Sequence, residues 1–103
     1  PDREALLERI TNALDAAAEA AYLELGEPPW EAGRLTGVPR ALRTRLWRRL
    51  ALAAGSPGTD LTSEHLLAVD SLVTAWRGQG PLHLPGGVRA LREGDRVCVV
   101  GPA

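Results

Sequence analysis

Three breaks rich in glycine and proline divide this 103-residue chain: Gly26 with Pro28-Pro29, Gly55-Ser56-Pro57-Gly58, and Gly78 with Gly80-Pro81. Such punctuation ends helices and forces turns, so no element can run across it. Before the third break the apolar residues recur with a helical period, and after it they alternate. From Asp2 to about Leu25, the residues Leu7, Ile10, Leu14, Ala17 and Ala21 follow each other at intervals of three and four, the stripe of a packed helix. At 1.5 Å per residue this helix is expected to be about 35 Å long. Residues 27–38 mix Pro, Gly and Trp30 and read as a connecting loop with one short extended piece around Trp30 to Ala32.

A second helix is predicted from near Pro39, an acceptable first-turn residue, to Ala54. Its core stripe is read as Leu42, Leu46, Leu50 and Ala53. Arg45, Arg48, Arg49 and Leu52 then fall on one flank, with Arg40 and Arg43 on the other side near Trp47. The third helix has a defined start: Thr62 caps it, and Leu61 and Leu66 form a hydrophobic staple across the cap. Leu66, Val69, Leu72, Val73 and Trp76 are expected to face inward. Beyond Gly80-Pro81, Leu82 to Leu84, Val88 to Arg92 and Arg96 to Val100 read as three short antiparallel strands, joined at Pro85-Gly86-Gly87 and Glu93-Gly94-Asp95. The predicted fold is α+β: a long N-terminal helix, two further packed helices, then a small C-terminal antiparallel β-meander.

The length limits the chain to one compact domain with an appended helix. With three Trp, one Tyr and no Phe, the core must be built mainly from Leu, Val and Ala. Charges interrupt every apolar stretch, so no run reaches the length of a membrane span. Cys98, the single cysteine, can form neither an internal disulfide nor a zinc finger. A soluble, cytoplasmic protein is expected. The chain opens at Pro1 without Met or a signal peptide and reads as an excised piece. All twelve basic residues are Arg, which suits a GC-rich genome.

Charge is divided unevenly along the chain. Residues 1–33 carry eight acids against two arginines, net −6, and residues 34–103 carry ten arginines against five acids, net +5. Between Ala32 and Thr59 there are six arginines and no acid, so helical i, i+4 pairing cannot neutralise them. This segment is expected to seek an anionic partner, and the planar fork of Arg suits phosphate.

The stretch LTSEHLLAVDSLVTAWRGQGPLHLPGGV, from Leu61 to Val88, resembles the substrate-binding domain of tRNA(Ile)-lysidine synthetases. The preceding PRALRTRLWRRLALAAG is similar to that family's Arg-rich helix, and ALREGDRVCVV is similar to its closing β-hairpin. The likeness covers roughly residues 36–100 and leaves the Trp30 loop, residues 26–35, outside it. It implies a parent enzyme that attaches lysine to an anticodon cytidine of isoleucine tRNA after adenylating that base with ATP. ATP and lysine would be used in a separate N-terminal domain with a Ser-Gly-Gly-x-Asp-Ser loop, a motif this sequence lacks. Residues 1–25 would then be a linker-type helix and residues 26–103 the tRNA-binding domain. The implied partners are tRNA(Ile) and the parent's own catalytic domain, with no membrane and no cofactor held by this segment.

Candidate tRNA contacts are Arg40, Arg43, Arg45, Arg48 and Arg49 of the second helix and Arg77 beside the glycines that end the third. Gly78, Gly80, Gly86 and Gly87 follow a helix and flank strands, the reverse of a phosphate loop's order, and read as turns. His65 and His83 have no ligand partners at metal spacing. Ser63 or Ser71 with a His and an Asp would make a triad without an oxyanion hole, and Cys98 reads as a buried, inert thiol. No catalytic constellation is found. A winged-helix DNA-binding module has the same order of elements. However, the Gly55 to Leu61 connection is longer than a helix-turn-helix turn, and Glu64 and Asp70 sit on the would-be reading helix. A purely structural reading makes the long acidic helix a dimerisation or docking element, which is compatible with tRNA recognition.

Overall fold

The structure is a computed structural model that describes residues 2–102; Pro1 and Ala103, the outer ends of the two predicted segments, lie outside it. Helix α1 (Arg3–Leu25) starts where Asp2 accepts a hydrogen bond from the Ala5 N–H at 2.7 Å and stops at Gly26, whose φ is 80°. Strand β1 (Trp30–Glu31) and the one-turn helix α2 (Ala32–Leu35) follow. Helices α3 (Arg40–Ala54) and α4 (Ser63–Thr74) come next. Strand β2 (Leu82–Leu84), a 3-10 turn at Pro85–Gly87, β3 (Val88–Glu93) and β4 (Arg96–Val100) complete the chain. The α+β architecture is the one the sequence predicts. Two details differ: the meander gains β1 as a fourth strand, and α2 occupies part of the predicted loop.

The sheet is antiparallel in the order β1-β4-β3-β2. Alternation along the strands turns Leu84, Val88, Ala90 and Val97 inward, all buried. His83, Arg89, Leu91, Cys98 and Arg96 lie on the opposite face. Cys98 therefore does not take the predicted buried place; it is half-buried, and desolvation raises its thiol pKa, with Glu93 adding to the effect. β1 exists because Trp30 is anchored at both ends. Its backbone pairs with Val97 while its indole N–H donates to the Gly26 carbonyl at 2.8 Å, and the side chain is 1% exposed. Trp30 packs between Tyr22 and Trp47 and carries α1 onto the core.

Only the C-terminal half of α1 is packed. Ala18 is buried and Ala21, Tyr22 and Leu25 lie against the core, whereas Leu6, Leu7 and Ile10 are about half exposed. The 23-residue helix lies on a 15-residue α3 and overhangs it. The stripe of α3 also differs from expectation. Its buried positions are Arg43, Leu46, Trp47, Leu50 and Ala51, while Leu42 is half-buried and Ala53 exposed. Leu46 and Leu50 are common to both readings, and the face is rotated towards Arg43 and Trp47 because both bind an acid on α4.

The start of α4 is as predicted: Thr62 Oγ1 accepts from the His65 N–H, and Leu61 and Leu66 are both buried. The sequence reading did not foresee that His65 completes the cap, its Nδ1 accepting from the Thr62 N–H at 3.0 Å. This bond requires an unprotonated Nδ1. Thr62→Ala is expected to cost about 1 kcal/mol, measured by urea denaturation beside the wild type; a loss below about 0.3 kcal/mol would mean the cap contributes little. The glycine turns are also observed, with positive φ at Gly78, Gly86, Gly87 and Gly94.

Candidate nucleic-acid interface

The six candidate arginines separate into three groups according to what lies opposite them. Arg43 turns inward and is 7% exposed. Its Nε and Nη2 donate to the two carboxylate oxygens of Asp70 at 2.7 and 2.9 Å, and its Nη1 to the Val38 carbonyl at 2.5 Å. Trp47 adds an indole N–H to the same carboxylate at 3.0 Å. Burial pushes the Asp70 carboxyl up. The hydrogen bonds from Arg43 and Trp47, with the charges of Arg43 and Arg40, outweigh that and hold it below the usual carboxylate range. Hydrogen bonding to Asp70 raises the Arg43 guanidinium in turn. Arg43 is thus removed from the set of predicted phosphate contacts: its fork is spent inside the domain.

Arg45 and Arg49 form the second group and face α1. Arg45 donates to Asp15 at 3.1 Å and to the Ala41 carbonyl at 2.9 Å. Arg49 pairs with Glu19 and lies over the Tyr22 ring, 3.7 Å from its centroid. The acid-free segment therefore does find anions within the chain, 27 residues ahead at Asp70 and 30 residues back at Asp15 and Glu19. Local pairing rules could not reveal them.

The third group is open. Arg40 has a 70% exposed side chain and lies 4.0 Å from an Asp70 carboxylate that Arg43 already occupies. Arg48 is half-buried beside Gly58, with no ion pair among the described residues. Arg77 is exposed beyond α4, where its backbone N–H donates to Gln79 Oε1 and its guanidinium has no partner among the described residues. Arg92, which was not singled out in the sequence, is structural: it lies over Trp76, 4.4 Å from the ring centroid, and donates to the carbonyls of Leu72 and Gly94.

The decisive residue missed in the sequence is Asp70, read there as a surface acid. It lies on the same turns as Leu66, Val69 and Val73, on the buried face of α4, and an acid on such a face demands a buried cation. Arg43, similarly interleaved with the stripe of α3, was the available answer. Among the described residues no group of three or more His, Cys, Asp or Glu could hold a metal, and no helix is long and apolar enough to cross a membrane. Trp30 and Trp47 are buried, and arginines lie over the rings of Tyr22 and Trp76.

A family model described as the TilS substrate binding domain matches residues 31–98. The match takes in Glu31 to Leu35, which the sequence reading had left outside the resemblance. The tRNA(Ile)-lysidine synthase of Thermobifida fusca is 49% identical over 96 residues, covering 91% of this chain and 30% of that protein. That of Streptomyces coelicolor is 48% identical over 69 residues, 67% of this chain and 20% of the relative. The Salinispora tropica enzyme of the same name is 37% identical over 94 residues, 89% of this chain and 28% of its own length. The chain thus spans less than a third of these relatives. The order of a capped α4, the glycine turns and the closing hairpin, together with these matches, decides between the readings: the chain belongs to the family of the TilS substrate binding domain.

Proposed function

We propose that this chain is the tRNA-recognition part of a tRNA(Ile)-lysidine synthase and that it holds the RNA by its sugar-phosphate backbone. ATP-dependent activation and lysine transfer are assigned by this reading to the part of the protein outside the chain. The observation that carries it is that, of the six candidate arginines, Arg40 and Arg48 on α3 and Arg77 beyond α4 are left open once the internal partners are counted. Phosphate contacts position a nucleic acid without reading its sequence. The covered state of all four aromatic rings fits that mode better than stacking on unpaired bases.

The test is titration of the full-length protein with labelled tRNA(Ile) at several salt concentrations, wild type against the triple variant Arg40→Glu, Arg48→Glu, Arg77→Glu. Each phosphate neutralised adds about 0.7 to 0.9 to the slope of log K against log salt. Losing three contacts should flatten that slope by about two and weaken binding at low salt by at least tenfold, similarly for any tRNA. A folded triple variant with unchanged affinity and slope would refute the reading. Arg45, Arg48 and Arg49 are not a suitable triple for this test, although the sequence alone suggests them, because Arg45 and Arg49 are already paired with carboxylates of α1.

A further inference from the structure

The two carboxylates facing Arg45 and Arg49 form a matched ladder. Asp15 and Glu19 are four residues apart on α1, and so are Arg45 and Arg49 on α3, so both pairs are stepped by about 6 Å along their helices. That step is comparable to the spacing of successive phosphates on one nucleic-acid strand. The ladder is open to solvent, with side chains 31% and 62% exposed for Arg45 and Asp15 and 43% and 53% for Arg49 and Glu19. A cleft of about 150 Å³ lined by Asp15, Ala18, Glu19, Arg45, Leu46 and Arg49 runs along it.

We propose that Asp15 and Glu19 occupy the places of RNA phosphates. They hold Arg45 and Arg49 until tRNA binding exchanges each carboxylate for a phosphate oxygen, so that α1 tunes the affinity of the α3 flank. The proposal rests on the tRNA reading above. Three observations support it. Exposed ion pairs are weak and easily screened, unlike the Arg43–Asp70 pair, which is closed on all sides. Each exposed pair uses one guanidinium nitrogen, Nε of Arg45 and Nη1 of Arg49, and a guanidinium has five N–H donors, so both retain donors for a second anion. Exchange also leaves both partners in position. Arg49 still rests on the Tyr22 ring and Arg45 on the Ala41 carbonyl, while α1 stays anchored by buried Ala18 and by Arg34, which donates to the Leu25 and Glu24 carbonyls at 3.2 Å each.

The experiment compares the full-length wild type with Asp15→Asn/Glu19→Gln in titrations with labelled tRNA(Ile). Removing two exposed competing pairs should tighten binding by about two- to thirtyfold at low salt. Neutralising Glu4→Gln/Glu8→Gln removes the same charge from the overhanging end of α1 and serves as the control. The gain should exceed that of the control and vanish when Arg45→Ala/Arg49→Ala is added. A gain no larger than the control, or weaker binding by a variant with unchanged melting temperature, overturns the exchange. Should the double variant loosen α1, the single Asp15→Asn is read against Glu4→Gln by the same criterion. The two proposals fail separately: if the Arg40, Arg48 and Arg77 variant loses affinity while the α1 variants behave as the control, only the exchange is wrong.

Discussion

Asp70→Ala is expected to destabilise the domain by about 3–5 kcal/mol, the scale for removing one partner of a buried ion pair. The residue is 2% exposed, and its loss leaves the Arg43 guanidinium and the Trp47 indole N–H buried without their acceptor. Against a total stability of about 5–15 kcal/mol for a typical domain, this is a large fraction of what holds the fold. Guanidinium denaturation at neutral pH measures it, and a change under about 1 kcal/mol would show that the network contributes little. The same carboxylate gives a pH signature. Its folded pKa lies below the unfolded value, so the native state binds its proton less readily. Its contribution is complete above the unfolded carboxyl pKa of about 3.9 and is lost as pH falls through the lower folded value. The stability gap between wild type and Asp70→Ala should therefore be constant from about pH 7 to 5 and narrow below about pH 4. A gap that stays constant into acid would mean that Asp70 is not the titrating group.

The second large effect is expected at Gly86. Its φ of 78° is left-handed, and a Cβ there would stand 2.7 Å from the Gly55 carbonyl oxygen and 3.0 Å from Pro57 Cδ. A side chain in that conformation costs about 1–2 kcal/mol, and the clash with main chain adds to it because a carbonyl cannot rotate away as a flexible side chain can. Ser56, 5% exposed, ties the same two segments by donating to the Pro85 carbonyl at 2.7 Å. Gly86→Ala should therefore cost about 2–3 kcal/mol in urea denaturation. Gly80→Ala, in open space and without a positive φ, should change stability by no more than about 0.5 kcal/mol. Equal effects at the two positions would show that the contact between the Gly55 end of α3 and the β2–β3 turn is not tight in solution.

These two positions show where sequence reasoning reaches and where it stops. Helix ends were legible because their causes are local: the Thr62 cap, Gly26 and Gly55 as stops, and the glycine turns of the hairpins each act within about four residues. The strand at Arg96 to Val100 was legible for the same reason, although not the face on which Cys98 lies, and so was the family resemblance, which rests on the order of those local signals. The sequence also identified every arginine of α3, but not what each one faces. Leu42 and Leu46 alone could not decide which side of α3 is inward. That was fixed by Asp70, 27 residues away from Arg43, because a buried carboxylate must meet a cation and a hydrogen-bond donor once water is excluded.

The three long helices, the three C-terminal strands, the Thr62 cap, the glycine turns and the surplus of positive charge in the second helix thus follow from the sequence, because each is set by residues close along the chain. Which arginines of α3 remain open was set by packing across the fold. Coulomb attraction falls off with distance through space rather than along the chain, so the acids of α1 could reach Arg45 and Arg49 only once Trp30 and Tyr22 had brought the two helices together.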